Sequence, residues 1–325
     1  MERADVLVIG GGVIGLSVAL ACAEAGADVV LLSGDAPPAS LAAGGMLCPS
    51  FEAAHEGGRA LARLGAESLA LWDGFADRLT GGDRALIDYR RDGVLGVGYP
   101  AGFLQGEAVA PPAFVEATGA VLVPGEGQVD PRRLLTALGT RLAELGVRRR
   151  AGVARALIEE DAAVLGAKTD GGGVLAGRTI LAVGASATGL GLPPGLIVPV
   201  RGRAFCATLP GLPAFPGSGV LRAPSVYLCQ KADGTLYVGA TEELRPAEAV
   251  LDGLWLEAGW LVPALRGAAR AHVFDGVRPG TPDGLPVIRP DPARAGLFLA
   301  LGHHRSGVLL APLTAARAAA WAARP

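Results

Sequence analysis

The chain opens on a mostly apolar run, Asp5 to Ile9, breaks on glycine, resumes at helical spacing from Val13 to Ala25, and turns apolar again from Asp28 to Leu32. Short apolar runs bounded by turn residues read as buried strands, and the longer stretch between them reads as a helix. The turn between the first strand and the helix contains Gly10, Gly12 and Gly15, a G-x-G-x-x-G spacing, with Val13 and Ile14 opening the helix. Gly10 permits the tight turn, Gly12 lets backbone approach a pyrophosphate, and Gly15 allows close helix packing. The helix N-terminus presents unpaired N–H groups to the phosphates. In this strand, turn, helix, strand context the motif predicts dinucleotide binding.

Further along, Asp130-Pro131 has the form of a helix N-cap followed by proline at the first helical position. Ile180 to Ala185 reads as a buried strand running into Gly184. Ser225 to Leu228 and Asp233 to Glu243 read as two strands of a hairpin, and an alanine-rich helical run follows Gly307. At the end of the second strand a carboxylate is expected for the ribose hydroxyls. Ser33 stands there instead, with Asp35 two residues on. Either the serine hydroxyl makes the contact, which is the preferred reading, or Asp35 reaches back from its turn.

Composition narrows the function classes. Of 325 residues, 50% are hydrophobic and 18% charged, and 29 basic against 31 acidic residues leave a net charge of −2. A large core is available, and no basic field invites nucleic acid. The cluster Arg148 to Arg150 reads as a solvated turn after a helix. Cys22, Cys48, Cys206 and Cys229 show no paired spacing, as suits reduced thiols in a cytoplasmic protein. His303 and His304 are adjacent, but the chain has four histidines in all and no ligand spacing to complete a metal site. Val6 to Ala23 is apolar yet carries four glycines and no cleavage signal, so neither a membrane span nor export is expected.

Between Ala39 and Pro49 the sequence reads A-S-L-A-A-G-G-M-L-C-P, small residues crowded where a nicotinamide domain would continue its βαβ pattern. Here the chain resembles the D-amino-acid oxidase-like family of FAD proteins, and within it the glycine oxidases of thiamine biosynthesis, whose similar segment runs along the pyrophosphate and flavin. The resemblance implies FAD contacts at Ser40, Ala42, Ala43, Gly44, Gly45 and Met46. It continues at Val129-Asp130-Pro131-Arg132, at Val153, where the family places a valine against the adenine, and at the strand ending in Gly184. Gly302-His303-His304-Arg305-Ser306-Gly307-Val308-Leu309-Leu310-Ala311-Pro312 is similar to the family's G-H-x-R-x-G-x-L-L-A-P. This implies that Gly302, His303, Arg305, Ser306, Gly307, Val308 and Leu309 lie along the flavin, with a helix N-terminus aimed at the edge that becomes anionic on reduction. Related sarcosine oxidases attach flavin through a cysteine near the substrate loop; none follows Cys229, so the FAD is expected to be non-covalent.

Gly276 to Pro286 reads as a stiff loop resembling the family's R-P-G-T-P-D-G segment. Its Arg278 is expected to take a substrate carboxylate bidentately and to border the cofactor; binding loop carbonyls is its structural alternative. The resemblance makes Tyr227 a hydroxyl donor to the same carboxylate, although Cys229-Gln230-Lys231 departs from the family's continuation of that strand. Arg305 is expected beside flavin or substrate. Arg278, Tyr227 and Arg305 thus form the expected catalytic set, with no metal.

The fold class implied is α/β: a Rossmann-type FAD-binding domain with a parallel sheet flanked by helices, plus a smaller α+β substrate domain with a mostly antiparallel sheet. The FAD domain is expected to be discontinuous, at 1–85, 129–198 and 285–325, with 86–128 and 199–284 forming the substrate domain. The implied reaction is oxidative deamination of glycine, a D-amino acid or a small amine, with hydride leaving the α-carbon for flavin, the imine hydrolysing in water, and molecular oxygen as acceptor. A dehydrogenase serving a quinone or carrier protein is the nearest alternative, and a catalytically silent flavin-binding protein is the alternative of another class. Charge-poor alanine helices suit burial in a homo-oligomer.

Overall fold

Both faces of the first strand, Glu2–Ile9, are covered. Val6 and Val8 pack into a cluster with helices, while Leu7 and Ile9 pack into a second cluster on the opposite side. This two-sided burial is why the strand reads as a continuous apolar run with no polar alternation. The computed structural model describes residues 1–53, 58–187, 189–243 and 248–324. Within it Glu2–Ile9 lies between Gly172–Leu181 and Val29–Ser33, and the parallel order extends to Leu297–Leu301 on one side and Arg148–Ala151 on the other.

The helices Val13–Glu24, Gly58–Thr80, Pro131–Glu144 and Gly307–Ala322 cover one face of this sheet. An antiparallel pair, Ala154–Glu160 and Ala163–Thr169, folds over the other. Pro131–Glu144 starts where its cap signal put it, the Asp130 carboxylate accepting from the backbone N–H groups of Arg132 and Arg133. The arginine cluster is corrected: Arg148 to Arg150 form an edge strand of the parallel sheet, and Arg148 is ion-paired with Glu2 and Asp28. The second strand needs a partner on that side, and arginine stems can border a sheet while their heads reach acidic neighbours.

The alanine-rich helix Gly307–Ala322 is buried within the chain, against Val13–Glu24 and Gly58–Thr80. Pro312 interrupts it, and two donors from the neighbouring helix, Ser68 Oγ at 2.7 Å and Trp72 Nε1 at 2.9 Å, close on the Leu309 carbonyl. Among the described residues no helix is long and apolar enough to cross a membrane.

The second sheet is mostly antiparallel, in the order Arg270–Gly280, Val198–Thr208, Thr235–Gly239, Tyr227–Gln230, Val220–Arg222, Val94–Val97, Ala120–Val123, Glu107–Val109. Leu228, Leu236 and Val238 pack beneath the helix Glu248–Leu261, whereas Cys229 and Tyr237 face the opposite way, into a cluster with Cys48 and Phe51. First-sheet strands fall within residues 2–33, 148–181 and 287–301, second-sheet strands within 94–123 and 198–280, so the chain crosses between the sheets four times. A short pair, Met46–Leu47 with Gly127–Gln128, forms a separate two-stranded sheet.

Candidate active site

A cleft of ≈ 1240 Å³ runs from the glycine turn, between the two bodies, to the second sheet. Its floor at one end is the turn itself. The helix Val13–Glu24 has Gly12 as its N-cap, with no side-chain cap and no acidic residue in its first turn. One of its unpaired donors, the Val13 N–H, is taken by Ser40 Oγ at 3.1 Å. The remaining N–H groups and the helix dipole leave an anion-favouring end. Gly15 stands behind the cleft wall, where a Cβ would meet the Gly10 carbonyl oxygen at 1.8 Å, so it serves close packing. Gly10, Gly12, Val13, Ile14, Ser33, Ser40, Ala42, Ala43, Gly44, Gly45 and Met46 all border the cleft, as do Val153 and Gly184. Val153 is 48% exposed, which fits a wall residue better than a core one. Ser33 and Asp35 both face this end, so either reading of the ribose contact keeps a residue in place.

The segment 302–309 enters from the other side. Gly302, His303, Arg305, Ser306, Gly307, Val308 and Leu309 line the cleft, bringing the N-terminus of Gly307–Ala322 onto it. His303 is buried, its Nε2 2.9 Å from Thr314 Oγ1, and that hydroxyl donates to the Leu310 carbonyl. Burial pushes its pKa down to about 3, so the ring is neutral and structural at ordinary pH. Arg305 Nε is buried with no hydrogen-bond partner among the described residues, and Ser306 Oγ faces the Glu52 carboxyl, whose pKa it lowers. A long cleft with phosphate-type donors at one end, a glycine-walled middle and an orphaned polar group at the other fits FAD.

At the end of the cleft against the second sheet, the stiff-loop reading of Arg278 is corrected. Arg270–Gly280 is a continuous edge strand paired with Val198–Thr208, and only the residues after Gly280 turn. Pairing overrode the glycine and proline punctuation because Pro279 sits on an outer strand, where a missing N–H is tolerated. The guanidinium lies flat against Gly202 of the neighbouring strand, where a Cβ would meet Nη1 at 2.1 Å. Nη1 donates to the Thr241 carbonyl at 2.9 Å; its other nitrogens have no hydrogen bond among the described residues. Tyr227 is stacked on Tyr237 with ring centroids 5.8 Å apart, both rings wedged between Gly44 and Gly239. Burial raises the Tyr227 pKa and the nearby Arg278 only partly offsets it, so the hydroxyl stays a donor at neutral pH. Arg305 Nη2 donates to Glu242 at 2.8 Å, which ties it to the cleft's rim.

Among the cleft residues that escaped the sequence reading are Glu52, Arg222 and Tyr237. Tyr237 sits one strand over from Tyr227, a position its hairpin register could have disclosed; Glu52 and Arg222 carry no local signal. The Glu52 carboxyl is raised by burial and lowered by Arg305 and Arg222, and its Oε2 has no hydrogen-bond partner among the described residues. It rides on the short helix Pro49–Glu52, whose Ser50 N–H donates to buried Glu126 Oε1 at 2.7 Å. Burial pushes Glu126 up to about 7. Between pH 4.5, its ordinary value, and about 7, the folded protein holds a proton the unfolded chain has released. Stability should therefore fall across that window, by roughly 3 kcal/mol, and flatten above it. Glu126→Gln should lack this component, and denaturant unfolding at pH 5 and pH 8 checks it. Equal slopes for both proteins would refute the assignment.

The sequence profile of the family described as FAD dependent oxidoreductase matches residues 5–321. The chain is 34% identical over 336 residues to the bifunctional protein ThiO/ThiG of Synechocystis sp. (strain ATCC 27184 / PCC 6803 / Kazusa), covering 96% of this chain and 50% of that one. It is 32% identical over 347 residues to the glycine oxidase of Geobacillus kaustophilus (strain HTA426), covering 96% and 91%. It thus spans half the length of the bifunctional relative and most of the glycine oxidase. The crystal structure of glycine oxidase from Geobacillus kaustophilus superposes with a TM-score of 0.83 at 27% identity, over 97% of this chain and 93% of that one. An iminodiacetate oxidase from Chelativorans sp. BNC1 also superposes at 0.83, with 25% identity over 96% and 93%. The chain belongs to the FAD-dependent oxidoreductase family, and FAD is its cofactor.

Proposed function

We propose that this protein oxidises glycine or a similarly small amino acid to its imine, with oxygen as the electron acceptor. The observation that carries the reading is the placement of Arg278 and Tyr227 at one end of the same cleft whose other end is the glycine turn. The residues at 1–85, 129–198 and 285–325 serve as the cofactor-binding domain and those at 86–128 and 199–284 as the substrate domain.

FAD, when bound, supplies the hydride acceptor. The protein's own contribution is position and dryness. Arg278, braced by Thr241 and seated on Gly202, takes the substrate carboxylate, and the protonated Tyr227 hydroxyl adds a second donor. With the carboxylate fixed, the α-carbon would be held in place for hydride loss, and Gly44 to Met46 would border the bound FAD. A desolvated cavity favours the neutral amine that hydride loss requires. Released imine takes up water to give the oxo acid and ammonia. In thiamine biosynthesis the imine would instead feed thiazole assembly.

FAD-loaded protein mixed anaerobically with glycine should lose its yellow colour, and air should restore it with one hydrogen peroxide per glycine consumed. Bleaching without peroxide on aeration would establish the dehydrogenase alternative. A yellow protein that no amino acid or amine bleaches would sink the enzyme reading in favour of a silent flavin-binding one.

A further inference from the structure

Lys231 is 5% exposed, behind the cleft wall, at the place where the sequence departs from its family. Its ammonium donates to the Gly44 carbonyl at 2.6 Å, to Gln128 Oε1 at 2.8 Å and to the Val129 carbonyl at 3.2 Å. An ammonium has three donors, so all three are used. No carboxylate is among these partners, which is a costly arrangement unless the three dipoles are held for a reason.

The reason lies in the peptide joining Gly44 to Gly45. The Val129 N–H donates to the Gly45 carbonyl at 2.9 Å, continuing the antiparallel pairing of Met46 with Gln128. A regular ladder would return that bond from the Gly45 N–H to the Val129 carbonyl. Instead the Gly44 carbonyl faces that side, so two carbonyl oxygens converge on one point with Lys231 between them. Carbonyl and N–H of a trans peptide point opposite ways, so the Gly45 N–H is turned away from Lys231, and both glycines line the cleft. Tyr237 Oη does a similar job two residues earlier, donating to the Ala42 carbonyl at 2.6 Å.

We propose that Lys231 is a positioning residue: its ammonium keeps the Gly44–Gly45 peptide in the orientation that offers the Gly45 N–H to bound FAD. Remove the cation, and the two carbonyls repel while a ladder bond becomes available to the rotated peptide. The donor is then withdrawn from the cleft. The proposal rests on FAD occupying this cleft and goes beyond it in assigning a residue that never touches the cofactor.

The test uses FAD-loaded wild type, Lys231→Met and Lys231→Arg, read by FAD titration and by the visible spectrum of the bound flavin. Lys231→Met should bind FAD about tenfold more weakly, the scale of one net hydrogen bond, and shift the flavin's visible bands. Lys231→Arg, which still places a cation and several donors between the carbonyls, should restore both. Should Lys231→Met not fold, Lys231→Gln takes its place: it keeps a donor for one carbonyl, removes the charge between two, and should shift the bands in the same direction. Wild-type bands and affinity in the folded neutral variant would overturn the proposal. Failure of the wild type itself to bind FAD would strike the functional reading instead, so the two failures are distinguishable.

Discussion

Replacing Arg278 with alanine should lower kcat/KM for glycine by about 100- to 10,000-fold while leaving FAD bound. Two hydrogen bonds from a guanidinium to a carboxylate are each worth roughly 1.5–3 kcal/mol, and every 1.4 kcal/mol is about tenfold. Arg278→Lys should recover only a fraction, because an ammonium cannot reproduce the flat fork seated on Gly202 and braced by the Thr241 carbonyl. Gly202→Ala should mimic the alanine variant, since its Cβ would fall 2.1 Å from Arg278 Nη1 and must displace it. Steady-state kinetics with parallel flavin spectra check all three. Unchanged kcat/KM in Arg278→Ala would remove this residue from substrate binding.

Two glycines in one motif should fail in different ways. At Gly15 an added Cβ would sit 1.8 Å from the backbone oxygen of Gly10, a contact that backbone alone must relieve. Gly15→Ala should therefore destabilise the apoprotein by about 3 kcal/mol or more. At Gly12 the same atom meets only Ser40 Oγ at 3.5 Å and Pro38 at 3.6 Å, ordinary contacts. Gly12→Ala should keep the apoprotein's melting temperature yet weaken FAD about 100-fold or more, because the methyl enters the space that a pyrophosphate must approach. Melting curves without FAD and flavin titrations separate the two. A stable Gly15→Ala protein, or a Gly12→Ala protein with wild-type affinity, would contradict the assigned roles.

Sequence disclosed most where local rules and the fold agree. The first strand, glycine turn and helix are encoded within adjacent residues, and the Asp130 cap is a contact between near neighbours. The reading of Arg148 to Arg150 failed because a parallel edge strand is defined by its partner, Val29–Ser33, more than a hundred residues away. Arg278 was found, but its strand was mistaken for a loop, since the glycines and prolines around it are locally turn-like and only pairing with Val198–Thr208 decides otherwise. Glu52 and Arg222 were invisible for a similar reason: each lies in an unremarkable stretch and gains its place in the cleft from tertiary packing. The departure at Lys231 was noticed in sequence, but its partners at Gly44 and Val129 are far along the chain.

The four crossings between sheets carry a consequence for biosynthesis. Leu297–Leu301 docks beside Gly172–Leu181, and Gly307–Ala322 completes the wall against the first helix. Until those residues leave the ribosome, the nascent polypeptide carries an open hydrogen-bonding margin and an uncovered apolar flank. Flavin capture is thus postponed until Leu297–Leu301 and Gly307–Ala322 have been made, and an earlier arrest would yield a product that chaperones must shield or proteases clear.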